Sequence, residues 1–394
     1  MSKDLVSASG KGRDMNRSVV LDLLRGVAVL AVIVLHTSHH AIGHGVPLFD
    51  DWLWPVIRHF YLGVQLFFVI SGYCIMGAVE SAERDAKPIM TYFRRRLRRI
   101  YPPYWFSLIL LIVLGGMTVF IARKQWWDVF PLTGTDWLLN VVLLQQLFGA
   151  PDASLPYWSL SIEVQFYVLM AVCLLVPKWR SHWLLAVSGL NILGMWSIPH
   201  LIAGTALAHW AEFACGIAAY SIRHSLGFQR GLHWQLWGAT ALAIIVGGCS
   251  SSRLYIDNGE FILPIKQAFC LLFAAVMILM QRAEGAGRPA MKSRGLAWIG
   301  SISYSLYLTH MPVASRVFNL TGRFMPLNGL RWCIVALIAT LLQFAVGWLF
   351  YRFCEARWLN SASNRHSIPG IPAIRSIAIA SRDPVRPSDN LLRL

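Results

Sequence analysis

Arg25 and His36 interrupt an otherwise apolar, helix-length run, LDLLRGVAVLAVIVLHTSHH from Leu21 to His40. Their numbers differ by eleven, close to three turns at 3.6 residues per turn, so both project from one helix face about 16 Å apart along the axis. A guanidinium is a permanent cation whose fork suits anionic oxygens, and an imidazole exchanges a proton near neutral pH. Such groups are costly in hydrocarbon and normally face a bundle interior or a watery cavity, which marks the pair as a functional-site candidate. Snorkelling of Arg25 to a headgroup, with His36 at the opposite interface, fits the same spacing.

Composition defines the scaffold that must hold them. Of 394 residues, 56% are hydrophobic and only 14% charged, and mean hydropathy is +0.53. An ordinary soluble domain carries about a quarter charged residues, so a polytopic membrane protein is expected. The net charge of +16 does not point to nucleic acid when the basic residues sit in loops between apolar spans, because cytoplasmic membrane loops carry that excess. The seven cysteines are scattered, with no CxxC and an odd total, and form neither a disulfide framework nor a zinc site. His36, His39, His40 and His44 lack an acidic or cysteine ligand nearby, and no metal is expected.

Apolar runs of spanning length are Val19 to His36, Phe60 to Val79, Tyr101 to Ile121, Leu160 to Val176, Trp183 to Ile198, Leu201 to Ile222, Trp234 to Cys249, Phe261 to Met280, Leu296 to Val313 and Leu330 to Phe350. Trp137 to Phe148 is apolar but short. If it does not cross, Arg94 to Arg99, Lys178, Arg180, Arg223, Arg230, Arg282 and Arg288 all fall on one side with the basic tail, as the positive-inside rule asks. The expected fold class is therefore an all-α polytopic membrane protein with about ten transmembrane helices and both termini cytoplasmic. Trp137 to Phe148 then belongs to a long outer loop, Ala122 to Tyr157, as an interfacial or re-entrant piece. Residues 1–18 form a cytoplasmic leader, 19–358 the membrane domain, and 359–394 a basic, disordered tail.

Four further patches accompany Arg25 and His36: GVQLFFVISGYCI from Gly63, YFRRRLRRIYPPYW from Tyr92 in the loop into the third span, WSLSIEVQFY from Trp158, and WIGSISYSLYLTHMPV from Trp298. With the R-x10-H pair and the ending YRFCE at Tyr351 to Glu355, this ordered set resembles the acyltransferase-3 family of integral membrane acyltransferases. Each patch alone is common in membrane helices; their order is specific. Two positions depart from the usual pattern: Gln65 stands where an acidic residue is common, and Ala356 where proline is. The resemblance implies transfer of an acyl group, usually acetyl, from coenzyme A to a hydroxyl of a carbohydrate or glycolipid. It implies no tightly bound cofactor, with acyl-CoA as co-substrate, membrane lipids as surroundings, no nucleic-acid partner, and a bacterial cytoplasmic (inner) membrane location.

Carried onto this chain, the resemblance makes His36 the base that takes the hydroxyl proton, with Glu163 orienting or charge-stabilising its ring. Glu163 also fits a capping box opened by Ser159. Arg95, Arg96 and Arg99 match donor phosphates, although a block of arginines beside a span is also a topology signal. Arg25 would hold the inner part of the donor and point it toward His36. Tyr304 and His310 line the acceptor path or belong to an interfacial aromatic belt. His209 and Glu212, spaced i,i+3, are expected to form a buried structural pair. The competing class is a transporter or acyl-group carrier, for which inverted repeats with broken helices would be the mark; none is evident.

Overall fold

The computed structural model describes residues 18–39, 52–123, 125–224, 262–286, 293–324 and 329–359. Among them no strand occurs. The longer helices are α1 (Val19–His39), α2 (Leu62–Ala82), α3 (Pro88–Ala122), α4 (Gly134–Val141), α5 (Tyr157–Leu175), α6 (Arg180–Ser197), α7 (Trp210–His224), α8 (Ile262–Gly285), α9 (Arg294–Ser301), α10 (Ser303–Phe324) and α11 (Gly329–Phe350).

Six described helical stretches are long and apolar enough to cross a bilayer: Val19–His39, Trp54–Ala82, Pro88–Ile121, Tyr157–Leu175, Lys266–Gly285 and Gly329–Trp358. The protein is thus an all-helical integral membrane protein. α6, α7 and α10 overlap three further expected spans without being among these six. Trp234 to Cys249 and the basic tail beyond residue 359 lie outside the described residues. Leu296 to Val313 is not one helix: α9 ends at Ser301 and α10 begins at Ser303, with Ile302 between them at φ −107°. The break lies beside a close crossing with α1, where a Cβ on Gly300 would stand 1.7 Å from the carbonyl oxygen of Asp22. Only glycine lets the two backbones approach this far, a device common between membrane helices. Gly216 does the same for α7 on α2, where a Cβ would meet the Val69 carbonyl oxygen at 1.9 Å.

The arginine block is not a loop. α3 opens at Pro88, which fits a helix start because its missing N–H would be unpaired there anyway, and runs 35 residues through the arginines. At 1.5 Å per residue it is about 52 Å long, so it outreaches the hydrocarbon layer and carries its first turns beyond it.

Trp137 to Phe148 does not span. α4 has eight residues, about 12 Å, and is opened by Thr133, whose side chain accepts from the Asp136 backbone while the Asp136 carboxylate accepts from the Thr133 N–H. The Thr133 hydroxyl also donates to that carboxylate, and with the Thr133 N–H it holds the Asp136 carboxyl below its ordinary range. The chain then turns inward at Leu143, fully buried at φ 58°, a left-handed conformation that a branched side chain adopts only when its surroundings enforce it. Three donors from α3 supply the enforcement: Tyr104 to the Asn140 carbonyl (2.7 Å), Trp105 to that of Val141 (3.0 Å) and Tyr101 to that of Val142 (2.8 Å). Asn140 ties the returning strand of loop by donating to Pro151 and accepting from the Ala153 N–H.

Candidate active site

Helical phase decides which arginines matter. Arg96 and Arg99, one turn apart, line a cavity with Arg25, while Arg94, Arg95 and Arg98 are exposed. Arg95 instead pairs with Asp85 at 3.2 Å. The cavity itself is small, about 80 Å3, and opens through a wider mouth. Its apolar wall includes Val64, Phe67, Phe68, Ile70 and Leu160, and its polar groups include the guanidiniums, Ser71, Cys74, Glu163 and three tyrosines. Guanidinium forks suit anionic oxygens such as those of phosphate, and the apolar wall suits a slender uncharged chain.

Arg25 is held rigidly for a long side chain. Its Nη1 lies 3.2 Å from Asp22 Oδ1 and its Nη2 donates to Cys74 Sγ at 3.2 Å. Glu163 sits inside α5, which starts at Tyr157 without a side-chain cap, so the Ser159 capping box does not form. Ser159 Oγ instead lies 2.7 Å from the Tyr307 hydroxyl. Glu163 Oε1 accepts from both Ser71 Oγ and the Tyr167 hydroxyl at 2.8 Å, which fixes the carboxylate on the cavity wall.

The C-terminal end of α1 carries a different neighbour. His36 faces His310, ring centroids 5.3 Å apart and tilted by 37°. Tyr307 joins this pair to the cavity. Its ring lines the cavity and lies 5.6 Å from that of Phe67, while its carbonyl oxygen is 2.8 Å from His310 Nδ1. Tyr304, one turn earlier on α10, turns to the cavity beside Arg99 and donates to the Ile100 carbonyl at 2.9 Å. Arg25, Arg96, Arg99, Glu163 and Tyr304 therefore come together, His36 and His310 form a second group one aromatic layer away, and Arg95 stands apart.

A third polar group lies outside the cavity. Glu212 Oε1 lies 3.8 Å from His209 Nδ1, the expected i,i+3 pair, and 2.8 Å from Lys266 Nζ. His209 packs against Phe68 and Trp158, centroids 5.3 and 5.4 Å away. The residues that sequence reasoning missed are Tyr307, Ser159, Ser71, Tyr167 and Cys74. For Tyr307 a signal existed: Tyr304, Tyr307 and His310 recur every three residues in SYSLYLTH. Among the described residues no group of three metal-ligating side chains occurs.

Comparison with known proteins places this geometry. Nodulation protein 10 of Rhizobium leguminosarum bv. viciae is 28% identical over 319 residues, covering 74% of this chain and 82% of that protein. The peptidoglycan O-acetyltransferase OatA of Listeria monocytogenes is 24% identical over 375 residues, 85% of this chain. The O-acetyltransferase OatA of Staphylococcus aureus is likewise 24% identical over 375 residues. The chain spans only 54% and 56% of the length of these two OatA proteins. No solved structure matches. The acyltransferase-3 family model, an acyltransferase domain, matches residues 19–352, so the chain belongs to that family and is a membrane enzyme that transfers acyl groups.

Proposed function

We propose that this enzyme is an O-acetyltransferase that takes an acetyl group from coenzyme A and places it on a hydroxyl of a cell-surface glycan or glycolipid, in a bacterial cytoplasmic membrane. The observation that carries the reading is the cavity in which Arg25, Arg96 and Arg99 converge, one aromatic layer from His36. The arginines bind the phosphates of the donor, and the thioester lies along the apolar wall toward Tyr307. Glu163, held by Ser71 and Tyr167, balances the guanidinium charge and keeps the cavity open to the donor. The acceptor hydroxyl approaches His36 from the opposite end of α1. His36 takes its proton, the alkoxide oxygen attacks the thioester carbonyl, and the C–S bond breaks. The proton ends on the released thiol, so ester and free coenzyme A are the products. The relatives named as O-acetyltransferases support acetyl as the group moved and a glycan as its destination.

The test uses purified protein and acetyl-coenzyme A, with thiol release measured with and without membrane glycan fractions. Release that depends on His36 and on an acceptor supports the reading. Absence of thiol release from the correctly folded enzyme overturns it. Mass spectrometry of surface glycans from strains with and without the gene identifies the acceptor.

A further inference from the structure

His310 is fully buried, with no accessible surface. Its Nδ1 lies 2.8 Å from the carbonyl oxygen of Tyr307 on the same helix. A carbonyl only accepts, so Nδ1 carries the proton and Nε2 of the neutral ring keeps its lone pair. That Nε2 is buried and has no hydrogen-bond partner among the described residues. An orphaned buried polar atom is rare, and a catalytic task is one of the few reasons for keeping it. The neighbouring ring is that of His36, 5.3 Å away between centroids.

We infer that His310 is the positioning residue for His36. Its Nε2 accepts the N–H of His36, which selects the His36 nitrogen that faces the acceptor and holds the imidazolium once the hydroxyl proton has been taken. This rests on the reading of His36 as the base. Catalytic hydrogen bonds commonly tighten as substrates bind, and the observed ring separation leaves a small closure to be made. The proton count closes: the hydroxyl proton passes to the lone-pair nitrogen of His36, whose other N–H stays directed at His310, and then to the departing sulfur. His310 keeps one proton throughout. Its tautomer is locked by Tyr307, the residue that also lines the donor cavity and whose hydroxyl is held by Ser159 at 2.7 Å and the Pro156 carbonyl at 3.1 Å. Donor binding against Tyr307 thus bears on the carbonyl that orients His310.

Two substitutions separate the ring nitrogens. His310→Asn keeps an amide N–H near the Nδ1 position and removes Nε2; His310→Gln places its amide near Nε2. The expected result is a fall in kcat of about 10- to 100-fold for His310→Asn, with acetyl-coenzyme A affinity unchanged and partial recovery in His310→Gln. A kcat equal to wild type, or equal loss of donor affinity in both variants, overturns the assignment. A second readout needs no turnover. The lone pair of a neutral imidazole nitrogen attacks a carbonyl of diethyl pyrocarbonate and becomes carbethoxylated, with ethyl carbonate leaving as ethanol and carbon dioxide, and mass spectrometry gives the rate at His36 in wild type and in each variant that elutes as folded protein. His310→Asn should slow it several-fold, because His36 loses the partner that fixes its exposed lone pair. An unchanged or faster rate overturns the proposal. Absence of thiol release from the wild type would overturn the donor assignment instead, and the His36 labelling rates would still decide the pair.

Discussion

Arg95 and Arg96 are adjacent in the chain and serve different surroundings: Arg95 pairs with Asp85 at the surface, while Arg96 turns into the cavity with Arg99 and Arg25. A hundred-degree step along α3 is the whole cause. An exposed pair contributes about 0–1 kcal/mol, whereas charge-assisted bonds to phosphate contribute roughly 1.5–3 kcal/mol each. Arg96→Gln and Arg99→Gln should therefore each weaken acetyl-coenzyme A binding by about one to two decades, and Arg95→Gln by less than about threefold. Calorimetric titration in detergent checks this. Equal losses at all three positions would make the block a general electrostatic attractor without a defined phosphate site.

Glu212 and Lys266 offer a stability test away from the chemistry. Their 2.8 Å contact is almost completely buried, and removing one partner strands the other charge, at a cost of about 3–5 kcal/mol. Lys266→Met should lower the midpoint of thermal unfolding sharply, and Lys266→Met combined with Glu212→Leu should recover much of the loss. A double variant as unstable as the single would show that the pair matters through packing and not through charge.

The all-helical membrane fold was legible because apolar run length and the ordered patches are local properties. The candidate arginines were legible as a cluster but not by face, since the block was read as a loop and a loop has no phase. Once Pro88 is seen to open a helix, Arg96 and Arg99 separate from Arg94, Arg95 and Arg98. Glu163 was found through its patch, yet its partners, Ser71 and Tyr167, required the packing of α2 on α5. Lys266 was invisible as a partner of Glu212 because α7 and α8 lie far apart in sequence. The break at Ile302 follows from how closely α9 must approach α1, which no hydropathy profile records.

Sidedness follows from α4 being too short to cross. Phe148 and Lys178 are both exposed and flank α5, which has the length of one span. In a background without native cysteines, Phe148→Cys should react with an impermeant maleimide in intact cells, and Lys178→Cys only after the membrane is opened. The reverse pattern would invert the topology and bring the donor arginines to the outer face.

Arg25 and His36 should fail in different ways. Arg25 lines the same cavity as Arg96 and Arg99, anchored by Asp22 and Cys74, so on the proposed reading a donor that meets those two arginines also meets it. Arg25→Ala should raise the acetyl-coenzyme A dissociation constant by roughly a decade or more, with saturating donor restoring part of the rate. His36 lies three turns further along α1, beside His310 and beyond the Tyr307 ring. His36→Ala should leave donor affinity intact and lower transfer by about 10² to 10⁴. Donor titration and acyl transfer on the same preparations separate the two effects. Near wild-type transfer by His36→Ala would leave His310, with its unpartnered Nε2, as the base. Equal loss of donor affinity in both variants would make the helix face one continuous donor site, with thioester and phosphates both bound along α1.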